Sequence, residues 1–467
     1  MSPFDLWYRM MLRNVFSSRL LAFGIFGLLM ILIPGLAEPA QADSAAKSTW
    51  IPKLLGLQAT GIYQDMPAFH DPYEGQKSFS TNGGLGRQLT QTYGLYLGSQ
   101  VMRFLQAYFD VEMFRGRGIG DGLGLGGYPN GDVIRAGPAN LGYGPYLARF
   151  FLRYLIPLSE ENAGGPERGI DQLPGVEPVS RIEIKAGKLS PADDMDQNGY
   201  ANNPRTQFIN YAFMANPAWD YASDTRGYSL GFSVSLVKPS WGLAFDGFMI
   251  PTTSNGMTLD KNVLKAQGNN MELTLRPGTW GTVIRLLAFY NRGRMGDYRA
   301  AMAKANEIGT VPDVHADERA GREKFGIALN VEQPLADDGE TGLFGRAGWS
   351  NGRTSAWSYT EVDRHVSAGL QISGRRWGRR LDRIGIAYAV QGLALPHREY
   401  LAAGGIGMLL GDGKLNYDPE RIFEIYYRIQ LGRFFQLTPD FQHIHNPGFN
   451  FDRGTLIVFS LRFRFMY

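Results

Sequence analysis

The tract Asp194-x-Asp196-x-Asn198-Gly199 has the residue types and spacing of a chemical centre. It matches the first half of an EF-hand-type calcium loop, but its twelfth position is Arg205 where a bidentate glutamate belongs. Asp194, Asp196 and Asn198 are therefore the candidate calcium ligands of an incomplete loop, and no other cofactor is expected. The Gly-x-Gly spacing at Gly116, Gly118 and Gly120 lacks the strand-turn-helix setting that dinucleotide binding needs. His443 and His445 stand two apart near an expected hairpin tip, as surface residues rather than a metal pair. No Ser/His/Asp arrangement and no other metal-ligand spacing stands out, so an enzyme is not expected. The absence of cysteine removes disulfides and thiolate metal sites. A net charge of +3 on 467 residues is too balanced for a nucleic-acid partner.

What remains is non-covalent chemistry by charged side chains placed at alternate positions. From Leu456 onward, Ile457, Phe459, Leu461, Phe463, Phe465 and Tyr467 share one face of an expected strand. The other face carries Leu456, Val458, Ser460, Arg462, Arg464 and Met466. Successive strand side chains point to opposite sides, so one side is wholly apolar and the other holds two cations. The pattern recurs upstream. Leu105, Ala107, Phe109, Val111 and Met113 oppose Gln106, Tyr108, Asp110 and Glu112; Phe150, Leu152, Tyr154 and Ile156 oppose Arg149, Phe151 and Arg153. Ile182 and Ile184 oppose Arg181, Glu183 and Lys185, and Tyr228, Leu230, Phe232, Val234 and Leu236 oppose Ser229, Gly231, Ser233 and Ser235. Phe423, Ile425, Tyr427 and Ile429 oppose Glu424, Tyr426, Arg428 and Gln430. Such two-faced segments of roughly 8 to 11 residues suit tilted strands that cross a membrane.

About sixteen of these segments can be placed, near residues 54, 91, 103, 147, 180, 227, 241, 269, 281, 323, 342, 364, 383, 422, 434 and 455. An even count is what a single-chain outer-membrane barrel requires. The links between them alternate in length. Short links fall at Lys238 to Trp241, Pro277 to Trp280, Arg375 to Arg380 and Gly432-Arg433; long ones fall at 115–146, 188–226, 292–322 and 393–421. The link at 158–179 breaks the rule, being long where a short turn is expected. Trp241, Trp280 and Trp377 sit in short turns, each followed by glycine, as in an aromatic girdle. The expected fold is all-β, a transmembrane antiparallel barrel of about sixteen strands with long extracellular loops.

Composition agrees: 59 glycines, 23 tyrosines and 28 phenylalanines accompany a mean hydropathy of only −0.21. A barrel hides every second residue in lipid, so its average hydropathy stays that of a soluble protein. The first residues differ from the rest. Arg9, Arg13 and Arg19 precede an apolar run from Leu20 to Ile33, and Ala40-Gln41-Ala42 follows. A run of about 14 apolar residues is too short to span a bilayer and fits a signal peptide. Residues 1–42 are expected to be a cleaved signal peptide and 43–467 one barrel domain, exported to the outer membrane of a Gram-negative cell among its lipid and lipopolysaccharide.

Charged and hydrogen-bonding side chains on a pore wall decide which solutes pass. The candidate pore residues are Glu112, Arg149, Arg153, Arg181, Glu183, Lys185, Glu424, Arg428, Arg462 and Arg464 on strands, with Trp219 and Tyr221 in a loop. Two long loops suit a constriction: 116–146, with Tyr128, Arg135, Tyr143 and Tyr146, and 188–226, rich in aromatics. Loops of this length are uncommon unless functional or disordered, and their aromatic content argues against disorder. Arginines interleaved with carboxylates suit hydroxyl-rich neutral solutes. The inward arginine excess also suits anionic sugar acids or organic acids. A structural or adhesive barrel is the remaining reading.

Several tracts resemble the carbohydrate-selective porin family (OprB): Gly187-Lys188-Leu189-Ser190 through Asp196-x-Asn198 to Tyr200-Ala201-Asn202, Arg205-Thr206-Gln207-Phe208-x-Asn210, Trp219-Asp220 and Asp224 to Tyr228. Leu410 to Gly413, Leu415-Asn416-Tyr417, Pro419-Glu420-Arg421, Glu424-x-Tyr426-Tyr427, Thr438-Pro439-Asp440 and Asn446-Pro447-Gly448 look like the family's C-terminal half, and the final Arg453-Gly454 and amphipathic strand fit it too. The resemblance covers residues 180–230 and 395–467, and the N-terminal half in general character. It implies a sixteen-stranded barrel, often a homotrimer, that admits glucose and related sugars through a loop constriction lined by charged side chains.

Overall fold

The computed structural model describes residues 54–132, 141–163, 169–174, 177–358 and 360–467. The expected signal peptide and Arg135 lie outside the described residues. Strands β1 (Leu54–Asp65), β2 (Arg87–Met102), β3 (Leu105–Arg115) and β4 (Tyr146–Pro157) open the barrel. A two-residue ribbon pairs β5 (Asn162–Ala163) with β6 (Glu177–Pro178). The wall continues with β7 (Arg181–Leu189), β8 (Ser229–Val237), β9 (Trp241–Met249), β10 (Gln267–Leu275), β11 (Val283–Met295) and β12 (Arg319–Ala336). It ends with β13 (Thr341–Ser350), β14 (Arg364–Ser373), β15 (Arg383–Gly392), β16 (Glu420–Leu431), β17 (Phe435–His445) and β18 (Leu456–Met466).

All strands but the ribbon form one closed antiparallel barrel of sixteen, and each expected segment becomes one of its strands. Closure leaves no open edge in hydrocarbon. The seam pairs Gly61 with Phe463, and Leu57 exchanges backbone hydrogen bonds of 3.0 and 2.8 Å with Tyr467. Among the described residues no helix is long and apolar enough to cross a membrane.

The two faces follow the sequence period. On β18, Phe459 and Phe463 are half exposed on the outside, whereas Val458, Ser460, Arg462 and Arg464 are buried within. Tyr228 is an exception: it precedes β8 rather than starting it, and its ring turns inward. The long links lie on one rim at 66–86, 116–145, 190–228, 250–266, 296–318, 351–363 and 393–419. Short turns such as 103–104, 238–240 and 432–434 lie on the other, with Trp241, Trp280 and Trp377 exposed around it.

The lumen is filled largely by its own loops. The 190–228 loop crosses it and lays Phe208 against Tyr426 and Phe344, ring centroids 4.9 and 5.6 Å away. Gly385 permits this approach, since a Cβ there would lie 2.1 Å from the Tyr426 ring. The 116–145 loop joins it: Tyr128 stacks on Tyr211 at 4.7 Å, and Gly131 N–H donates to the Ile209 carbonyl at 2.8 Å. Glu420 accepts the backbone N–H groups of Gly126, Gly127 and Gly448. Buried backbone donors without such acceptors would each cost about 1–3 kcal/mol.

Above the barrel, the helices Tyr298–Ile308 and Leu395–Ala402 pack together through Tyr298, His397 and Tyr400. Asp363 ties the second helix to the wall, 2.9 Å from both His397 Nδ1 and the Ala394 N–H. Burial opposes ionisation of Asp363, but the hydrogen bond and charge of His397, with Lys324 nearby, hold its carboxyl at about 2. A depressed carboxylate stabilises above its unfolded value of 3.8 and loses that contribution as pH falls toward 2. The amount is on the order of 2 kcal/mol. Hydrogen exchange at Ala394 should therefore accelerate between pH 4 and pH 2 beyond its intrinsic trend, and the Asp363→Asn variant should lack this pH step.

Candidate functional site

Strands β2, β3, β4 and β7 and the two inward loops enclose a cavity of about 650 Å³. That lies within the range of small-molecule sites. Its upper part centres on Glu112. The hydroxyls of Tyr96, Tyr146 and Tyr228 donate to the Glu112 carboxylate at 3.2, 3.0 and 2.7 Å. Arg205, from the crossing loop, donates to Glu112 at 3.2 Å and to Asp132 at 2.7 Å. Arg149 makes a two-pronged bond to Asp193 at 2.8 and 2.5 Å and lies 3.5 Å from Asp110. Burial alone would raise the Asp193 pKa, but the charge and hydrogen bonds of Arg149 bring it below the usual carboxylate range.

The lower part is a chain of ion pairs. Arg153 bonds Glu183 at 2.8 Å and Glu177 at 2.6 Å, and Arg181 meets Glu177 at 2.8 Å. Lys185 joins Glu183 at 3.5 Å and pairs with Asp194. Arg149, Arg153, Arg181 and Lys185 thus each have a carboxylate partner, whereas Arg464 reaches the Gln436 side-chain oxygen at 3.3 Å. Such a surface presents alternating donors and acceptors with little net field, which suits vicinal hydroxyls better than a net charge.

Of the sequence-derived candidates, Glu112, Arg149, Arg153, Arg181, Glu183, Lys185, Tyr221 and Arg464 line this cavity. Four do not. Trp219 is 1% exposed, with its Nε1–H donating to Asn270 at 2.8 Å, so its faces are closed to a sugar. Glu424 is fully buried and accepts the N–H groups of Ile209 and Asn210. Arg462 donates to the carbonyls of Pro204 and Gln207 at 2.6 and 2.8 Å. Arg428 reaches toward the Thr206 carbonyl at 3.4 Å. Glu424, Arg428 and Arg462 thus meet the 190–228 loop, to which Trp219 itself belongs, and serve as its anchors. Replacing Trp219 with phenylalanine should cost about 1 kcal/mol, one lost buried hydrogen bond, and leave sugar affinity within twofold; current block by glucose checks this.

The calcium candidates do not fit a cation. Asp194 pairs with Lys185, and Asp196 accepts from Arg346 Nε at 3.1 Å and from Asn330 at 2.7 Å. The Asn198 oxygen accepts the N–H groups of Tyr200 and Ala201. Positive neighbours occupy the carboxylates that a calcium ion would need. Arg205, the residue that breaks the calcium pattern, instead reaches the cavity. Tyr96 was accessible to the alternation argument, being on the inward face of β2, whereas Tyr228 and Asp132 depend on loop paths that no period reveals.

A model of the carbohydrate-selective porin, OprB family, matches residues 74–467. No curated protein matches the chain. The high-pH structure of Pseudomonas putida OprB aligns with TM-score 0.65 at 15% identity, covering 88% of this chain and 94% of that one. The outer membrane channel DcaP of Acinetobacter baumannii aligns at 0.46 and 10% identity, covering 88% and 96%. With the family model spanning most of the barrel, the chain belongs to the carbohydrate-selective porin family, OprB.

Proposed function

We propose that this chain forms an outer-membrane pore through which glucose-like sugars diffuse passively, bound in transit by the cavity around Glu112. The observation that carries the reading is the Glu112 cluster, where tyrosine hydroxyls and Arg205 meet one carboxylate beside the Arg149–Asp193 pair. A sugar hydroxyl can both donate and accept, so it can replace any of these contacts without stranding a charge. The family and the barrel support a channel rather than an enzyme. In this reading the short-turn rim faces the periplasm, residues 1–42 are removed on export, and the exposed Arg87 and Arg115 meet lipopolysaccharide at the other rim.

The pairing of the wall arginines also favours sugars over sugar acids, because an anion would have to compete with resident carboxylates. Proteoliposomes should swell faster in isotonic glucose than in isotonic gluconate. Faster swelling in gluconate would replace this reading with an anion pore.

A further inference from the structure

The link 158–180 connects β4 to β7 on the short-turn rim, where 103–104 and 432–434 suffice for other hairpins. Its residues 170–173 turn into the barrel. Ile170, Asp171 and Gln172 line the same cavity as Glu112 and Arg149. Leu173 is 3% exposed and sits with Leu54 and Tyr108, with Phe151 packed against them. Its N–H points at the Tyr108 hydroxyl, 3.4 Å away.

The wall is shaped to receive this segment. At Gly56 a Cβ would lie 1.9 Å from the Ile170 carbonyl oxygen, and at Gly98 one would lie 3.2 Å from Leu173 Cγ. Any larger residue at Gly56 would expel the backbone that crosses it. Beyond the segment, Glu177 is gripped by Arg153 and Arg181 at 2.6 and 2.8 Å. An apolar latch, a glycine seat and an ion-pair clamp hold residues 169–174 inside the lumen, below the loop constriction.

We propose that residues 169–174 form a second, inner constriction, with Asp171 and Gln172 as sugar-contacting residues that close the cavity on its short-turn side. A solute passing the Glu112 cluster then meets a carboxylate and an amide before it leaves. Asp171 accepts hydroxyl hydrogens and repels anions, and Gln172 offers both donor and acceptor. The chamber lies between two narrow points, so a sugar can be held by both ends at once. The proposal rests on the reading of the cavity as the sugar path.

Two variants of the full-length pore test it in planar bilayers, with retained heat-modifiable gel mobility as the check on folding. Leu173→Asp puts a charge into the apolar latch and should release the segment, raising single-channel conductance about twofold or more. The double variant Asp171→Ala, Gln172→Ala keeps the latch and should weaken glucose block about threefold or more, two solute hydrogen bonds being lost. Glucose is added to each chamber in turn, and the larger change is expected from the short-turn side. If Leu173→Asp does not fold, the double variant decides alone. Wild-type conductance and glucose block in every folded variant would overturn the inner constriction. A wild-type pore indifferent to glucose, with higher conductance in Leu173→Asp, would instead remove the sugar reading and leave the constriction standing.

Discussion

Replacing Arg346 with leucine should raise single-channel conductance and make the 190–228 loop sensitive to protease while the barrel stays folded. The Arg346 side chain is fully buried on β13 and holds the loop at three points. Its guanidinium bonds the Asp196 carboxylate at 3.1 Å, the Asp196 carbonyl at 3.0 Å and the Phe213 carbonyl at 2.9 Å. Without it, Asp196 keeps a buried negative charge, the Phe213 carbonyl loses its donor and the Asp196 carbonyl keeps only Asn330 at 2.9 Å. Breaking one side of such a pair typically costs about 3–5 kcal/mol. The strand ladders on both sides of β13 are untouched, so the loss falls on the loop. Arg346→Lys should recover only part of it, because a point charge cannot bridge all three acceptors. Unchanged conductance and protease resistance in Arg346→Leu would show that the loop does not define the pore.

Glu112→Ala should weaken glucose block about tenfold or more, which corresponds to roughly 1.4 kcal/mol. Glu112 gathers Arg205 and the hydroxyls of Tyr96, Tyr146 and Tyr228, so its removal scatters the donors that face the solute. It also removes one negative charge between Arg205 and Arg149, and anion permeability should rise relative to cation permeability. Glu112→Gln, which keeps an acceptor but no charge, should show the selectivity change with a smaller loss of glucose block. Glucose block equal to wild type in Glu112→Ala would place the sugar site elsewhere.

The barrel was legible because its strands write a period of two into the chain. Ile457 through Tyr467 and Leu105 through Met113 could be assigned a face without any structure, and the alternation of long and short links fixed the strand parity. The same period could not say what an inward side chain would meet. Glu424, Arg428 and Arg462 point inward as expected, but the 190–228 loop reaches them first, so they became anchors. Trp219 belongs to that loop, whose packing buries its ring and aims its Nε1–H at Asn270, so it offers no face to a sugar. The parity exception at 158–179 was visible as an irregularity. Its cause was not, because it lies in contacts such as Leu173 with Tyr108 that join residues far apart in sequence. The calcium-like tract shows the converse: its spacing is real, but Lys185 from the preceding strand and Arg346 from distant β13 claim its carboxylates.

The central claim is that sugar binds inside the lumen on its way through. Single-channel current through the refolded pore, titrated with glucose and then with gluconate, tests it most directly. Steady openings that glucose interrupts in a saturable manner, with gluconate weaker, are the predicted result. Open channels blocked only by gluconate, or a folded barrel that passes no current, would contradict the account.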